Sequence, residues 1–348
     1  MMNTQKKTVR LVANENFYGP PPKAIEAINR YSSIVNEYPD FVPNSLKQKL
    51  ADKYSVSAAN ITVGAGTYEL IDIIIKALVA KDGGILTFDK TFMAYAYQAE
   101  LNNKKCVIAE MTSNVCDVDL LIPLCTESTG AIFFANPNNP TGTIITHDEL
   151  KHLLNSVPEE TLVVADESYF EYVTDESYAN SLALLKEFPN LVILHTFSKI
   201  YGLAGMRVGY AISHEEISQR MEKHRLLRSV NVLAEKSAEA ALDESEYIEW
   251  CASENARERE YLYTELFSLG YDVEQSHANF IYMPFEDDEY KEQVFNYLKN
   301  EGLLICNMSF FRQKNALRIT VGDREVNQRV VSCLKDCSKE NMSASSVT

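Results

Sequence analysis

Three short apolar runs, each ending in polar residues, constrain most tightly what this chain can fold into. Ala131-Ile132-Phe133-Phe134 leads to Asn136-Pro137-Asn138-Asn139-Pro140-Thr141-Gly142, and Thr161-Leu162-Val163-Val164 leads to Asp166-Glu167-Ser168-Tyr169. Leu191-Val192-Ile193-Leu194 leads to a small-residue loop, Ser198-Lys199-Ile200-Tyr201-Gly202-Leu203-Ala204-Gly205-Met206-Arg207-Val208-Gly209. Asn139 and Asp166 stand 27 positions apart, and Asp166 and Lys199 stand 33 apart. Both spacings suit successive β-α-β units. In sheets built that way, ligands bind at the carboxyl ends of the strands, where these polar tails would gather.

The rest of the chain reads around that centre. Residues 23–31 and 45–54 have helical periodicity, with a turn at Tyr38-Pro39-Asp40 between them. A short strand at 60–63 runs into Gly64-Ala65-Gly66-Thr67 and then an apolar helix, 70–78. From there to Ile212, strand-like and helix-like segments alternate, the pattern of a mostly parallel sheet covered by helices. Beyond His214 the segments are long and helical, and strands at 280–283, 303–305 and 317–320 suggest a smaller α+β domain. The expected fold class is therefore α/β, with an N-terminal arm, a large cofactor domain and a small C-terminal α+β domain. The boundaries read as 1–30 for the arm and first helix, packing with the small domain, 31–245 for the large domain, 246–338 for the small one, and 339–348 for a flexible tail.

Composition narrows the class of ligand. A chain of 348 residues is long enough for two domains. Its net charge of -16 argues against nucleic acid, whose phosphates demand a basic surface. Seven scattered cysteines without a CxxC pair favour free thiols in a reducing cytoplasm, and offer no zinc-ligand spacing. No apolar run approaches a membrane span, and no secretory signal opens the chain. The expectation is a soluble cytoplasmic protein acting on small molecules.

The strand-end residues fit one chemistry. Lone lysines at strand ends are ordinarily solvated surface residues, but Lys199 sits beside Ser198 with glycines after it and two polar strand ends upstream. Its amine suits a Schiff base to a cofactor aldehyde and then proton transfer at a substrate carbon. Asp166, otherwise readable as a helix cap, suits the pairing of a pyridine nitrogen, and Tyr169 and Asn139 suit hydrogen bonds to a phenolic oxygen. Gly64-Ala65-Gly66-Thr67 before a helix is a phosphate cradle on physical grounds, with Ser198 and Arg207 as a nearby hydroxyl and cation. Phe92 could stack on a ring, and Arg318 offers a guanidinium fork to a carboxylate or phosphate. Together these residues suggest a site for pyridoxal 5'-phosphate.

With those residues assembled, the chain resembles the histidinol-phosphate aminotransferase family of fold-type-I pyridoxal-phosphate enzymes, from about Leu11 to Gly322. Ala13 to Pro20, Tyr38-Pro39-Asp40, Gly64 to Glu69, Asn136 to Gly142, Asp166 to Tyr169, Ser198 to Gly209 and Leu317 to Gly322 follow in family order. The resemblance implies a homodimer with shared active sites, a small-molecule amino donor and an oxo-acid acceptor. It implies that Lys199 carries the cofactor, that Asp166 pairs with its ring nitrogen, and that Tyr169 and Asn139 hold its phenolic oxygen. Phe92 would stack on the ring. Ala65, Gly66, Ser198 and Arg207 would bind the phosphate, Tyr38 would reach in from the partner, and Tyr18, Asn139 and Arg318 would meet substrate. The chain departs from the pattern at Lys90, at Tyr68 and at Arg225 to Val232, where Asn231 is kept and the usual proline-aromatic pair is missing. A different aminotransferase substrate, aromatic or of a specialised pathway, and a threonine-phosphate decarboxylase-like lyase share the same cofactor motifs.

Overall fold

The computed structural model describes residues 7–311, 313 and 315–337; the tail expected at 339–348 lies outside them. Among the described residues, eleven strands form two sheets. In chain order they are β1 (Val9–Leu11), β2 (Ile61–Gly64), β3 (Gly84–Phe88), β4 (Lys105–Ala109), β5 (Thr129–Ala135), β6 (Leu162–Asp166), β7 (Leu191–Thr196), β8 (Gly209–Ser213), β9 (Phe280–Pro284), β10 (Leu303–Asn307) and β11 (Ala316–Thr320).

The larger sheet has seven strands in the order β2-β8-β7-β6-β5-β3-β4. The central run β7-β6-β5-β3-β4 is parallel, and β8 is antiparallel to both of its neighbours. Continuous apolar runs suit strands covered on both faces, and β6 and β7 are buried throughout. β4, at the edge, exposes Lys105, Val107 and Ile108. One face packs on the cluster containing Val163, Ala165, Ile193 and Tyr210, and the other on that containing Val164, Leu194, Tyr95 and Phe133. Side chains alternate along a strand, so Asp166 points with Val164 and His195 with Ile193. Truncating a fully buried side chain such as Ile193 to alanine would cost about 2–5 kcal/mol.

The smaller sheet runs β1-β10-β11-β9, with β1 parallel to β10 and the remaining pairs antiparallel. Here the expected extended arm proves to be a true strand. From β1 the chain passes the ends of the large-sheet strands and enters the helix Pro22–Tyr31, which has a proline in its first turn. That helix was expected beside the small domain. It packs instead on the helix Val232–Ala241, and Ala24 lies in the core of the large sheet. Alanines on both helices permit the close approach. Nor does the chain change core at residue 245: the helix Ser245–Ser268 puts Cys251 into the large-sheet core and Leu262 and Leu266 into the small-sheet core.

Candidate active site

The carboxyl ends of β5, β6 and β7, the arm and β11 enclose a cavity of about 360 Å³. Phe92, Asn139, Asp166, Tyr169, Ser198, Lys199, Arg207 and Arg318 all line it. A larger cavity of about 720 Å³ adjoins it and shares Thr91, Phe92, Met93 and Phe311, but contains neither Lys199 nor Asp166. The chemistry belongs to the smaller one.

Asp166, the last residue of β6, is buried. Ser168 donates to Oδ1 from its hydroxyl at 2.5 Å and its backbone N–H at 3.2 Å, and Tyr95 donates to Oδ2 at 3.1 Å. Burial pushes the carboxyl above its usual value, and those donors pull it back only in part. Among the described residues no lysine or arginine pairs with it, so this buried carboxylate is complementary to a cation presented from the cavity.

Lys199 lies in the loop after β7, half-buried. Its Nζ donates to the Ala13 carbonyl at 3.0 Å and sits 5.3 Å from the centre of the Tyr169 ring. The Tyr169 hydroxyl accepts a hydrogen bond from Asn14 Nδ2 at 3.0 Å, which leaves its own proton to be donated elsewhere. Asn14 in turn is fixed by Thr320 and Asn279 and holds a positive φ of 55°. Gly202 lets the arm come this close: with φ at 64°, a Cβ there would stand 2.5 Å from the backbone of Gly19.

The anion end of the cavity is built by the helix Thr67–Leu78 and Arg207. Arg207 Nη1 donates to Ser198 Oγ at 3.3 Å and to the Ala204 carbonyl at 3.0 Å, both neutral partners. Gly66 caps the helix with φ at 84°, and a Cβ on it would lie 2.4 Å from Arg207 Nη2. A glycine with positive φ keeps the space between guanidinium and helix terminus open, and helix dipole and cation there favour the same anion.

Arg318, on β11, is buried. Its Nη1 donates to Asn139 Oδ1 and its Nη2 to the Val12 carbonyl at 2.8 Å, while Nε has no partner among the described residues. Asn139 thus presents its carbonyl to Arg318, and its Nδ2 has no partner among the described residues.

Four expected residues are absent from the cavity lining: Gly66, whose neighbour Thr67 does line it, Ala65, Tyr18 and Tyr38. Ala65 does not line the cavity, and its N–H is taken by the Glu69 carboxylate, which reaches back from the first turn of the following helix. Tyr18 packs edge-on against Trp250, ring centres 4.9 Å apart. Tyr38 is 84% exposed, with the Arg228 guanidinium 4.8 Å from its ring centre. Conversely, Asn14, Tyr95 and Ser168 touch the expected site residues without having been singled out. Only Ser168, two positions after Asp166, had a local signal, the Asp-x-Ser turn.

These residues fit pyridoxal 5'-phosphate: an aromatic wall at Phe92, a carboxylate awaiting a ring cation, a hydroxyl and an amide for the phenolic oxygen, an amine, and a phosphate cradle that a Cβ would fill. Fold and site together define a pyridoxal-phosphate-dependent enzyme of fold type I. The comparisons agree. The profile of the family "Aminotransferase class I and II" matches residues 6–334. A histidinol-phosphate aminotransferase of Moorella thermoacetica is 35% identical over 332 residues, covering 95% of this chain and 86% of the relative. One from Macrococcus caseolyticus is 37% identical over 330 residues, with coverage of 94% and 91%. The histidinol-phosphate aminotransferase of Sinorhizobium meliloti, solved with pyridoxal-5'-phosphate, shares the fold with a TM-score of 0.88 at 24% identity, over 96% of this chain and 91% of that one. The chain belongs to the class I and II aminotransferases. No helix among the described residues is long and apolar enough to cross a membrane.

Proposed function

We propose that this aminotransferase moves the amino group of histidinol phosphate to 2-oxoglutarate, giving imidazole acetol phosphate and glutamate in a ping-pong cycle. The choice of substrate is supported by the curated relatives, which carry that activity in their names at 35% and 37% identity over nearly the whole chain. The chemical part rests on one observation above all: a buried carboxylate, Asp166, met only by neutral donors, in the same cavity as the Lys199 amine.

Bound pyridoxal phosphate supplies an electron sink for charge that develops at the substrate Cα. Asp166 would keep the ring nitrogen protonated. Tyr169, already accepting from Asn14, would give its hydroxyl proton to the phenolic oxygen, and Asn139 Nδ2 would donate beside it. Arg207, Ser198 and the start of the helix at Gly66 would hold the phosphate, and Phe92 would cover the ring. Lys199 would hold the cofactor between turnovers and, once released from it, its amine would take the proton from the substrate Cα. Arg318 Nε would serve the phosphate of histidinol phosphate in one half of the cycle and a carboxylate of 2-oxoglutarate in the other.

Two copies would share their sites. Exposed Val35, Tyr38, Phe41, Leu226 and Leu227 support this, since Arg228 stacks on both Tyr38 and Phe41 and ties the two segments into one apolar face. Tyr38 would then reach the partner's phosphate cradle, and Tyr18 would meet substrate. The lack of any disulfide among the seven cysteines supports a cytoplasmic location.

The test is a donor panel with 2-oxoglutarate as acceptor. Histidinol phosphate should exceed aromatic amino acids in kcat/KM by about 100-fold or more, with glutamate formed in equal amount. Carbon dioxide released from phosphothreonine without glutamate would replace this reading with a decarboxylase.

A further inference from the structure

Tyr95 lies on the helix Ala94–Leu101, behind the cavity rather than in its wall. It is fully buried, and every side of it is in use. Its ring stacks on Phe133 of β5, with centres 5.3 Å apart and planes 25° apart. The same ring meets Phe92 edge-on at 5.7 Å. Its hydroxyl donates to Asp166 Oδ2 at 3.1 Å. One side chain therefore touches both the aromatic wall of the cavity and the carboxylate at its end.

A phenol this deeply buried costs desolvation unless its hydroxyl is paired, and burial together with the Asp166 charge holds its proton in place. Phenylalanine would fill the same space, so packing alone does not ask for the hydroxyl. Asp166 does. Ser168 occupies Oδ1 and leaves Oδ2 free to rotate with the carboxylate or to take up a proton in its buried surroundings. A hydroxyl fixed by two aromatic contacts removes both freedoms.

We propose that Tyr95 is a positioning residue: its hydroxyl fixes the plane and the ionised state of Asp166, and its ring backs Phe92, so that one side chain sets both contacts with the cofactor ring. The proposal rests on the assignment of Asp166 to the ring nitrogen. Tyr95 touches no reacting atom and acts only through its neighbours.

A double-mutant cycle in cofactor affinity tests it. Tyr95→Phe, Asp166→Asn and the double variant are purified without cofactor, their melting temperatures compared, and the dissociation constant of pyridoxal phosphate measured by equilibrium fluorescence. Tyr95→Phe should weaken binding about tenfold or more in the otherwise unchanged chain, the range for a hydrogen bond to a charged group. In the Asp166→Asn background the same change should cost less than about twofold. In turnover, kcat should fall while KM for the amino donor holds. An equal loss in both backgrounds would show that the hydroxyl does not act through Asp166, and a cofactor affinity unchanged by Tyr95→Phe would also overturn the proposal. So would a Tyr95→Phe protein that fails to fold without cofactor, since the hydroxyl would then serve the fold. If Asp166→Asn binds cofactor as tightly as the parent, the assignment of Asp166 itself fails, and this is distinct from a neutral Tyr95→Phe beside a weakened Asp166→Asn.

Discussion

Asp166 and Glu167 are adjacent, both buried, and point to opposite faces of the large sheet. Glu167 closes on the protein: His195 Nε2 lies 3.0 Å from its Oε2, and the Ser181 hydroxyl donates to Oε1. His195 continues to the Tyr210 hydroxyl at 3.2 Å, and Tyr210 to Tyr54 at 2.6 Å. Asp166 has only hydroxyl and amide donors, and faces a cavity that holds an amine and a guanidinium. The rear carboxylate is closed off by side chains of the fold, whereas the front one faces the cavity. Burial and strand position alone do not separate function from structure. What separates the two is whether a buried carboxylate is enclosed within the fold or opens on a cavity.

The comparison breaks most easily at Lys199. Lys199→Ala should lower kcat by about 10⁴-fold or more, leave the fold intact, and abolish the pyridoxyl adduct found by peptide mass spectrometry after borohydride reduction. Near-normal turnover would end the mechanism. The rear face predicts the opposite outcome. His195→Leu strands the Glu167 carboxylate and should cost about 3–5 kcal/mol in chemical denaturation, yet change cofactor affinity by less than about threefold. A large affinity loss at unchanged stability would erase the distinction between the faces.

Two smaller effects sharpen it. Gly66→Ala puts a methyl against Arg207 and strains a positive φ, so pyridoxal phosphate should bind about tenfold more weakly while free pyridoxal binds as before. Equal losses for both ligands would move the phosphate elsewhere. Behind the sheet, Glu171 is partly buried with Oε1 unpartnered among the described residues, and burial pushes its pKa from 4.5 up to about 8. An acid whose folded value is raised binds a proton more readily folded than unfolded, so stability is lost as pH rises between those two values. Glu171→Gln should remove that slope, and its stability relative to the parent should rise by at least about 1 kcal/mol from pH 5 to pH 8 in urea denaturation. Parallel pH profiles would mean the carboxyl is solvated.

Much of this architecture was legible in the sequence, for a definite reason. Asn139, Asp166 and Lys199 follow continuous apolar runs, and strand ends in β-α-β units have few places to go. Gly66 was legible because a helix start, a glycine and an anion site share one local requirement. The long-range partners were not. Asn14 meets Tyr169 across 155 positions and Tyr95 meets Asp166 across 71, and no spacing rule joins a helix or arm residue to a strand end so far away. The first helix was misplaced because amphipathicity shows that a face is buried and not what buries it. Ala65 shows a limit of that signal: a glycine-rich turn before a helix suggests free N–H groups, and here the Ala65 N–H meets the Glu69 carboxylate.

The most direct test of the central claim is a single-turnover experiment on cofactor-loaded protein with L-histidinol phosphate and no oxo acid. The account predicts one equivalent of imidazole acetol phosphate per active site, a matching change in the cofactor absorbance, and its reversal by 2-oxoglutarate with one equivalent of glutamate released. A spectrum that stays unchanged while the pyridoxyl adduct is found on Lys199 would contradict histidinol phosphate as the donor.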